Sequence, residues 1–238
     1  MSATRKTALI AGVFFLITFA ASIPALLLYD PVLNNTHYIV GAGADTRVAF
    51  GAFLEVLLAI ANIGSAVVLF PILKRQRESV ALGYVASRIL ESTIIVVGLI
   101  SLLSIVTLRQ DLAGAGGADH ASLVLVGRAL VAFHDWTFLL GPAFCAGFGT
   151  GLLLGYLMYT SGLVPRWMAL IGLIGGSLVF ASAVAVLFGV YDQGSSVNGL
   201  LTAPEFVWEL SLGIYLTFWG FRPSPILDQD GSSALRQS

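Results

Sequence analysis

Arg88 and Glu91 stand three residues apart in an otherwise apolar run, a spacing that puts both side chains on one face of a helix. Each charge costs a few kcal/mol or more inside a bilayer unless it is paired or hydrated, so the pair must face a protein interior. Two other apolar runs carry polar residues at helical spacing. Glu55 and Asn62 are seven apart, Glu205 and Glu209 four apart, and each pair shares a face. Counted from the basic-flanked ends of their helices, Asn62 and Glu209 lie near the level of Arg88 and Glu91. Glu55 and Glu205 lie nearer the opposite surface. Asn62, Arg88, Glu91 and Glu209 therefore form the candidate site, a buried polar cluster able to bind a small polar ligand or ion, or to pass protons. The competing reading is a charge-paired lock that fixes helix register and binds nothing.

His134-Asp135 is a second constellation, with Arg128 two helical turns before Asp135. A histidine beside a carboxylate could be a base or a metal ligand. The neighbouring Trp136 and the position of the segment favour an interfacial polar edge instead. His37, His120 and His134 have no metal-ligand spacing, so no metal site and no cofactor are expected. Walker, H-E-x-x-H, C-x-x-C and G-x-S-x-G motifs are absent from the sequence. A membrane-embedded enzyme would have to use Glu205, His134 or Asp135. It ranks behind a small-solute or ion-binding transporter and behind an accessory or regulatory membrane protein.

What must position these residues is a set of membrane helices. Hydrophobic residues make up 57% of the chain and charged ones 11%, too little polar surface to coat a soluble globule of 238 residues. The fold expected is all-α: a polytopic bundle of six transmembrane helices in one domain, residues 1–222, with the lipid bilayer as its principal partner. The spans fall at about 7–29, 47–73, 79–108, 137–159, 166–190 and 200–221. The first also resembles a signal peptide, but its apolar run continues through Leu28, which favours an uncleaved anchor. The stretch Ala121–Tyr159 would be about 58 Å long as one helix, more than a bilayer needs. It divides into an outer helical section, about 121–136, and a crossing kinked at Gly141-Pro142. Gly114, Gly116 and Gly117 mark a turn before it, and the mostly polar residues 223–238 read as a disordered tail.

Basic residues orient the spans. Arg5, Lys6, Lys74, Arg75, Arg77, Arg166, Arg222 and Arg236 fall on one side and Arg47, Arg109 and Arg128 on the other, which places both termini in the cytoplasm. No polybasic arm is available for nucleic acid. Gly147, Gly151 and Gly155 recur every four residues, a strip over which helix backbones approach closely, within the fold or in a homo-oligomer. Gly172 and Gly176 repeat the pattern once. Cys145 reads as a small buried hydrophobe without a disulfide partner.

The spans, the Arg88-x-x-Glu91 pair, the Gly-rich fourth span leading into Ser161-Gly162-Leu163-Val164-Pro165-Arg166, and Glu209 in the last span together resemble a bacterial membrane family, domain-of-unknown-function family 4386. The likeness runs from about Arg5 to Gly220. It implies a multi-pass protein of the bacterial inner membrane and assigns no substrate or catalytic residue.

Overall fold

The computed structural model describes residues 1–41, 43–112 and 119–227. The glycines of the expected turn at 114–117, Arg236, and the tail from 228 onward lie outside the described residues. Among those described, every regular element is helical. Helix α1, Ala3–Leu28, starts at Ser2, whose hydroxyl accepts the Arg5 amide at 3.2 Å. The short α2, Asp30–Leu33, and a 3-10 turn, Tyr38–Val40, follow it.

Helix α3 runs from Asp45 to Leu112, 68 residues that would reach about 102 Å if straight. It doubles back at Arg77, whose extended backbone (φ −154°, ψ 104°) is the one break in its helical dihedrals. The Ser92 hydroxyl donates to the Ala59 carbonyl at 3.2 Å across the two arms, and Arg109 near the end pairs with Asp45 at the start. The loop expected at Lys74–Arg77 thus contracts to a single residue.

Helix α4, His120–Phe138, continues without a break into a wider, π-wound stretch, Leu139–Leu154, and then α5, Gly155–Ser161. Pro142 lacks an N–H and would collide with the carbonyl one α-turn earlier, and the i→i+5 winding accommodates it. The expected outer section and crossing are thus one continuous helix, and the Gly141-Pro142 step expected to kink it lies in the π stretch. Gly162, with φ of +69°, stops α5 by donating its amide to the Met158 carbonyl. Helix α6, Arg166–Leu187, and α7, Ser196–Phe218, complete the chain. Ala3–Leu28, Asp45–Leu112, His120–Ser161 and Arg166–Leu187 are long and apolar enough to cross a membrane. Helix α7, at 23 residues, matches them in length but carries Glu205 and Glu209.

With the two arms of α3 counted separately, the described residues form six rods of alternating direction. At the end holding Arg77, the Arg5 guanidinium donates to the carbonyls of Leu216 (3.0 Å), Thr217 (2.7 Å) and Phe218 (3.1 Å), capping α7. The Arg222 amide donates to the Leu163 carbonyl at 2.8 Å and the Ser224 hydroxyl to the Ser161 carbonyl at 2.6 Å. Residues 223–227, expected as the start of a disordered tail, are therefore anchored, with Ile226 buried in the core. Two backbone carbonyls of the α5–α6 link hold them, a partner that polar composition does not reveal.

Two hydrophobic cores follow. One fills the basic end and draws on every long helix, through Phe15, Leu69, Tyr84, Leu157, Met168 and Trp208. The other fills the opposite end with Tyr29, Tyr38, Val48, Leu102 and Ile105, packed by Leu130 and Val131 of α4, and takes nothing from α6 or α7. The first core thus joins both halves of the chain at the basic end, and the second joins α1, α3 and α4 alone at the other, the split end.

The glycine strip is consumed inside the chain. Gly147 and Gly151 lie against Gly176, and Gly155 against Leu173 and Gly172, so the two glycine patterns are partners of each other. A Cβ on Gly151 would strike the Gly176 backbone, whereas one on Gly199 meets nothing within 4 Å. We expect Gly151→Ala to lower stability by about 1–3 kcal/mol through overpacking and Gly199→Ala to raise it by up to about 1 kcal/mol through helix propensity. Thermal unfolding in detergent reads both.

At the split end Asp45 accepts from Arg109 Nε at 2.8 Å, from the second guanidinium arm, from Gln110 Nε2 at 2.9 Å and from the Tyr38 hydroxyl at 2.9 Å. The guanidinium bonds above all hold its carboxyl down at about 2, against about 3.9 in an unfolded chain. A depressed carboxyl stabilises the fold fully above the unfolded value and ceases to do so as pH falls through the folded one. Unfolding temperatures recorded from pH 5 to 2 should show a fall below about pH 4 that Asp45→Asn has already lost at pH 7.

Candidate functional site

Arg88 lies 11 residues beyond the Arg77 bend, about 16 Å along the helix, and only 1% of it is exposed. Its fork is met by groups from both arms of α3. Nη1 donates to Glu91 Oε2 at 2.9 Å, Nη2 donates to Asn62 Oδ1 at 2.7 Å, and Asn62 Nδ2 donates to Glu91 Oε1 at 3.1 Å. The three side chains close a ring of charge-assisted hydrogen bonds. The Phe15 ring of α1 lies 5.8 Å from the guanidinium carbon, within cation–π range. Glu209 of α7 approaches Nη1 at 3.7 Å, an ion pair too long for a good hydrogen bond. Its Oε1 is buried and has no hydrogen-bond partner. The four residues read from sequence as one cluster are thus brought together.

The cluster is not sealed. A cavity of about 300 Å³ is lined by Asn62, Arg88, Glu91 and Glu209 together with Glu55, Thr18 and Ser22. A second, of about 230 Å³, is lined by Gln193, Asn198, Thr202 and Glu205. Phe19, Phe138, Pro142, Ala146, Phe206 and Glu209 line both, so Glu209 stands between them. The first cavity's lining includes Ile23 and Leu26 near the far end of α1, and the second reaches Gln193 in the α6–α7 turn. Both therefore extend from the level of Arg88 toward the end opposite Arg77. The shared core closes the basic end beneath them.

Glu205 is among the residues that line the second cavity. It is 4% exposed, and neither carboxyl oxygen has a hydrogen-bond partner. Its Oε2 lies toward Gly151 of the π stretch, and its backbone packs on Gly175 of α6. Glu55 instead accepts from the Tyr29 hydroxyl at 3.2 Å. Both carboxyls, expected further from the basic end than Asn62 and Glu209, are buried beside the cavities.

His134 departs from the interfacial edge expected of it. It is buried, with its ring edge-on to Tyr29 at 6.0 Å, and shares a small space with Glu55 and Thr137. Asp135, with its side chain 61% exposed, and exposed Arg128 do share one face. That face lines a separate outer pocket of about 170 Å³ against Tyr38 and Ile39. His134 lies on the inner side and Asp135 100° further round, with His134 Nδ1 still 3.8 Å from Asp135 Oδ1. Cys145 is buried, its thiol 3.5 Å from the Leu140 carbonyl. Among the described residues no three His, Cys, Asp or Glu side chains gather as a metal site.

Sequence reasoning missed Tyr29, which holds Glu55, and Trp208, whose Nε1 donates to the Thr150 carbonyl at 3.1 Å beside the site. It also missed Phe19, Phe138 and Phe206. The signal for Trp208 was its place directly before Glu209. For Phe19 and Phe206, in edge-to-face contact at 4.9 Å across α1 and α7, no local signal exists.

Long apolar helices around a charged interior define a helical membrane protein with a polar site between its helices. Within that class the chain belongs to the family described as domain of unknown function (DUF4386), whose model matches residues 10–220. No curated protein and no solved structure matches it.

Removing Arg88 alone leaves Glu91 as a buried charge without its partner. Arg88→Met should cost about 3–5 kcal/mol, and Arg88→Met with Glu91→Met should recover most of that loss. Thermal unfolding of the two variants in one detergent checks this, and equal stability of the two would exclude a pairing role.

Proposed function

We propose that the chain is a six-span protein of a bacterial inner membrane, with both termini cytoplasmic, that binds and transports a small polar or ionic solute. The Asn62–Arg88–Glu91–Glu209 site would receive it. Eight basic residues on the Arg77 side against three on the other support the orientation. The observation that carries the reading is the cavity that reaches the cluster, with Glu209 unsatisfied at its wall. A lock has no need of the cavity, and it would close its carboxyl against a donor. The Arg88–Asn62–Glu91 ring, complete in itself, favours a second reading for those three residues: a fixed scaffold that holds Glu209 in place.

Glu209→Gln separates the two. Unfolding temperatures of native protein and variant are compared in detergent with sodium, ammonium, ethanolamine, phenethylammonium, glycine, acetate and phosphate, each at millimolar concentration. We expect at least one solute to raise the native value by several degrees and to leave the variant, itself within about 1 kcal/mol of native stability because Glu209 makes no good hydrogen bond, unmoved. A variant that loses stability while no solute moves the native protein would establish the lock.

A further inference from the structure

The two cavities are lined by more carboxyl groups than the chain supplies donors for. Glu55, Glu91, Glu205 and Glu209 line them, against one guanidinium, that of Arg88. Arg88 is committed to Glu91 and Asn62. Glu55 has the Tyr29 hydroxyl. Glu205 has nothing within hydrogen-bond reach of either oxygen, and Glu209 has only a long ion pair. A buried carboxyl left without a donor is costly, and here the two unmet ones are one helical turn apart on α7.

The walls around them are wrong for a hard metal ion, which asks for six or more oxygen ligands. Thr202 donates its hydroxyl to the Asn198 carbonyl, and Asn198 is engaged by the Gly194 amide and by Ser182. Thr18, Ser22 and Gln193 are the other neutral polar side chains, too few and too scattered to complete such a shell, and most of the remaining wall is apolar. Phe19, Phe138 and Phe206 come from three different helices and line both cavities. Carboxylates at the floor and aromatic faces above are the combination that holds organic cations, through charge pairing at the nitrogen and cation–π attraction along the ring faces.

We propose that the cleft binds an organic ammonium ion, with its nitrogen between Glu205 and Glu209 and its carbon substituents against Phe19, Phe138 and Phe206. This rests on the reading of the cavity as a solute site and names the class of solute. The end opposite Arg77 is its route of entry, and the shared core below blocks exit on the other side. Glu205 is the specificity-determining residue, since its two oxygens have no competing partner inside the chain.

The test uses full-length protein in maltoside micelles and three probes of similar shape: phenethylammonium, phenethyl alcohol and 3-phenylpropionate, with sodium as the inorganic control. Binding is followed by thermal shift and by isothermal titration. Phenethylammonium should raise the unfolding temperature and bind at least tenfold more tightly than the alcohol, and the anion and sodium should give no response. Glu205→Gln should weaken phenethylammonium tenfold or more. Phe206→Ala, in a half-exposed side chain whose loss the fold tolerates, should weaken it about threefold and leave the native unfolding temperature within a few degrees.

Equal binding of the alcohol and the ammonium, or full retention of binding in Glu205→Gln, overturns the proposal. So does a sodium response as large as that of the ammonium. If Glu205→Gln proves unfolded, the comparison of the three probes on native protein and the Phe206→Ala result decide. Should phenethylammonium fail while another solute shifts native protein and not Glu209→Gln, the ammonium assignment falls and the solute site stands. Should no solute respond to either carboxyl, both fall.

Discussion

One guanidinium in the middle of an apolar bundle imposes most of what surrounds it. Arg88 keeps its charge under all ordinary conditions, so the fold must bring partners to it. Asn62 and Glu91 are those partners, and they come from the two arms of α3. Their bonds fix the register of that hairpin at mid-depth. Ser92 with Ala59 fixes it again one turn on, and Asp45 with Arg109 at the far end. An arm displaced by one residue would leave Arg88 facing lipid or hydrocarbon, at a cost of several kcal/mol. The single extended residue at Arg77 is enough of a turn because the register is set elsewhere.

The same charge explains why the remaining helices meet where they do. Phe15 of α1 covers the guanidinium, and Glu209 of α7 reaches it from the other side. These contacts draw α1, α3 and α7 together at and below the level of Arg88. Above that level the constraints diverge. The glycines of the π stretch let α6 approach to backbone contact and carry α7 with it, while Tyr29, Tyr38 and Leu102 tie α1, α3 and α4 into another unit. The two cavities lie between these units, beside the Phe19–Phe206 contact that bridges them. The π winding lies on one wall, where Pro142 and Ala146 line both cavities. Local departures from α geometry often coincide with sites of function.

How far the sequence was legible followed from the range of the forces involved. Arg88 and Glu91 share a face by spacing alone, and the cost of a charge in lipid sends that face inward, so their meeting with Asn62 and Glu209 could be read without coordinates. Helices Arg166–Leu187 and Ala3–Leu28 announced themselves as apolar runs with polar ends. The count of charges on each side of the six expected spans rests on the same logic. Composition could not show that His134 would turn inward, because one residue along a helix moves a side chain 100° and the predicted boundary was no sharper than that. Nor could it show Ile226 in the core, since a tail of mixed polarity is anchored by two backbone carbonyls that carry no sequence signature. The aromatic lining was the least accessible: Phe19, Phe138 and Phe206 lie on three helices and meet only through the tertiary fold.

What distinguishes the cleft from the rest of the interior is that its polar groups are unevenly satisfied. Arg88, Asn62 and Glu91 complete one another, and Asp45 at the surface gathers several donors. A chain that can satisfy those groups so fully has the means to satisfy Glu205 and Glu209 as well. A serine or asparagine on the facing π stretch would suffice, yet Gly147, Gly151 and Ala146 stand there. The small residues bring the helices close, and they withhold donors from the two carboxyls. Sequences that fold well tend to agree at every level and to depart from agreement at sites of function. The departure here falls on one turn of α7, inside a cleft closed at the basic end. Its two unmet carboxyls are a cost in stability, which a bound cation would offset.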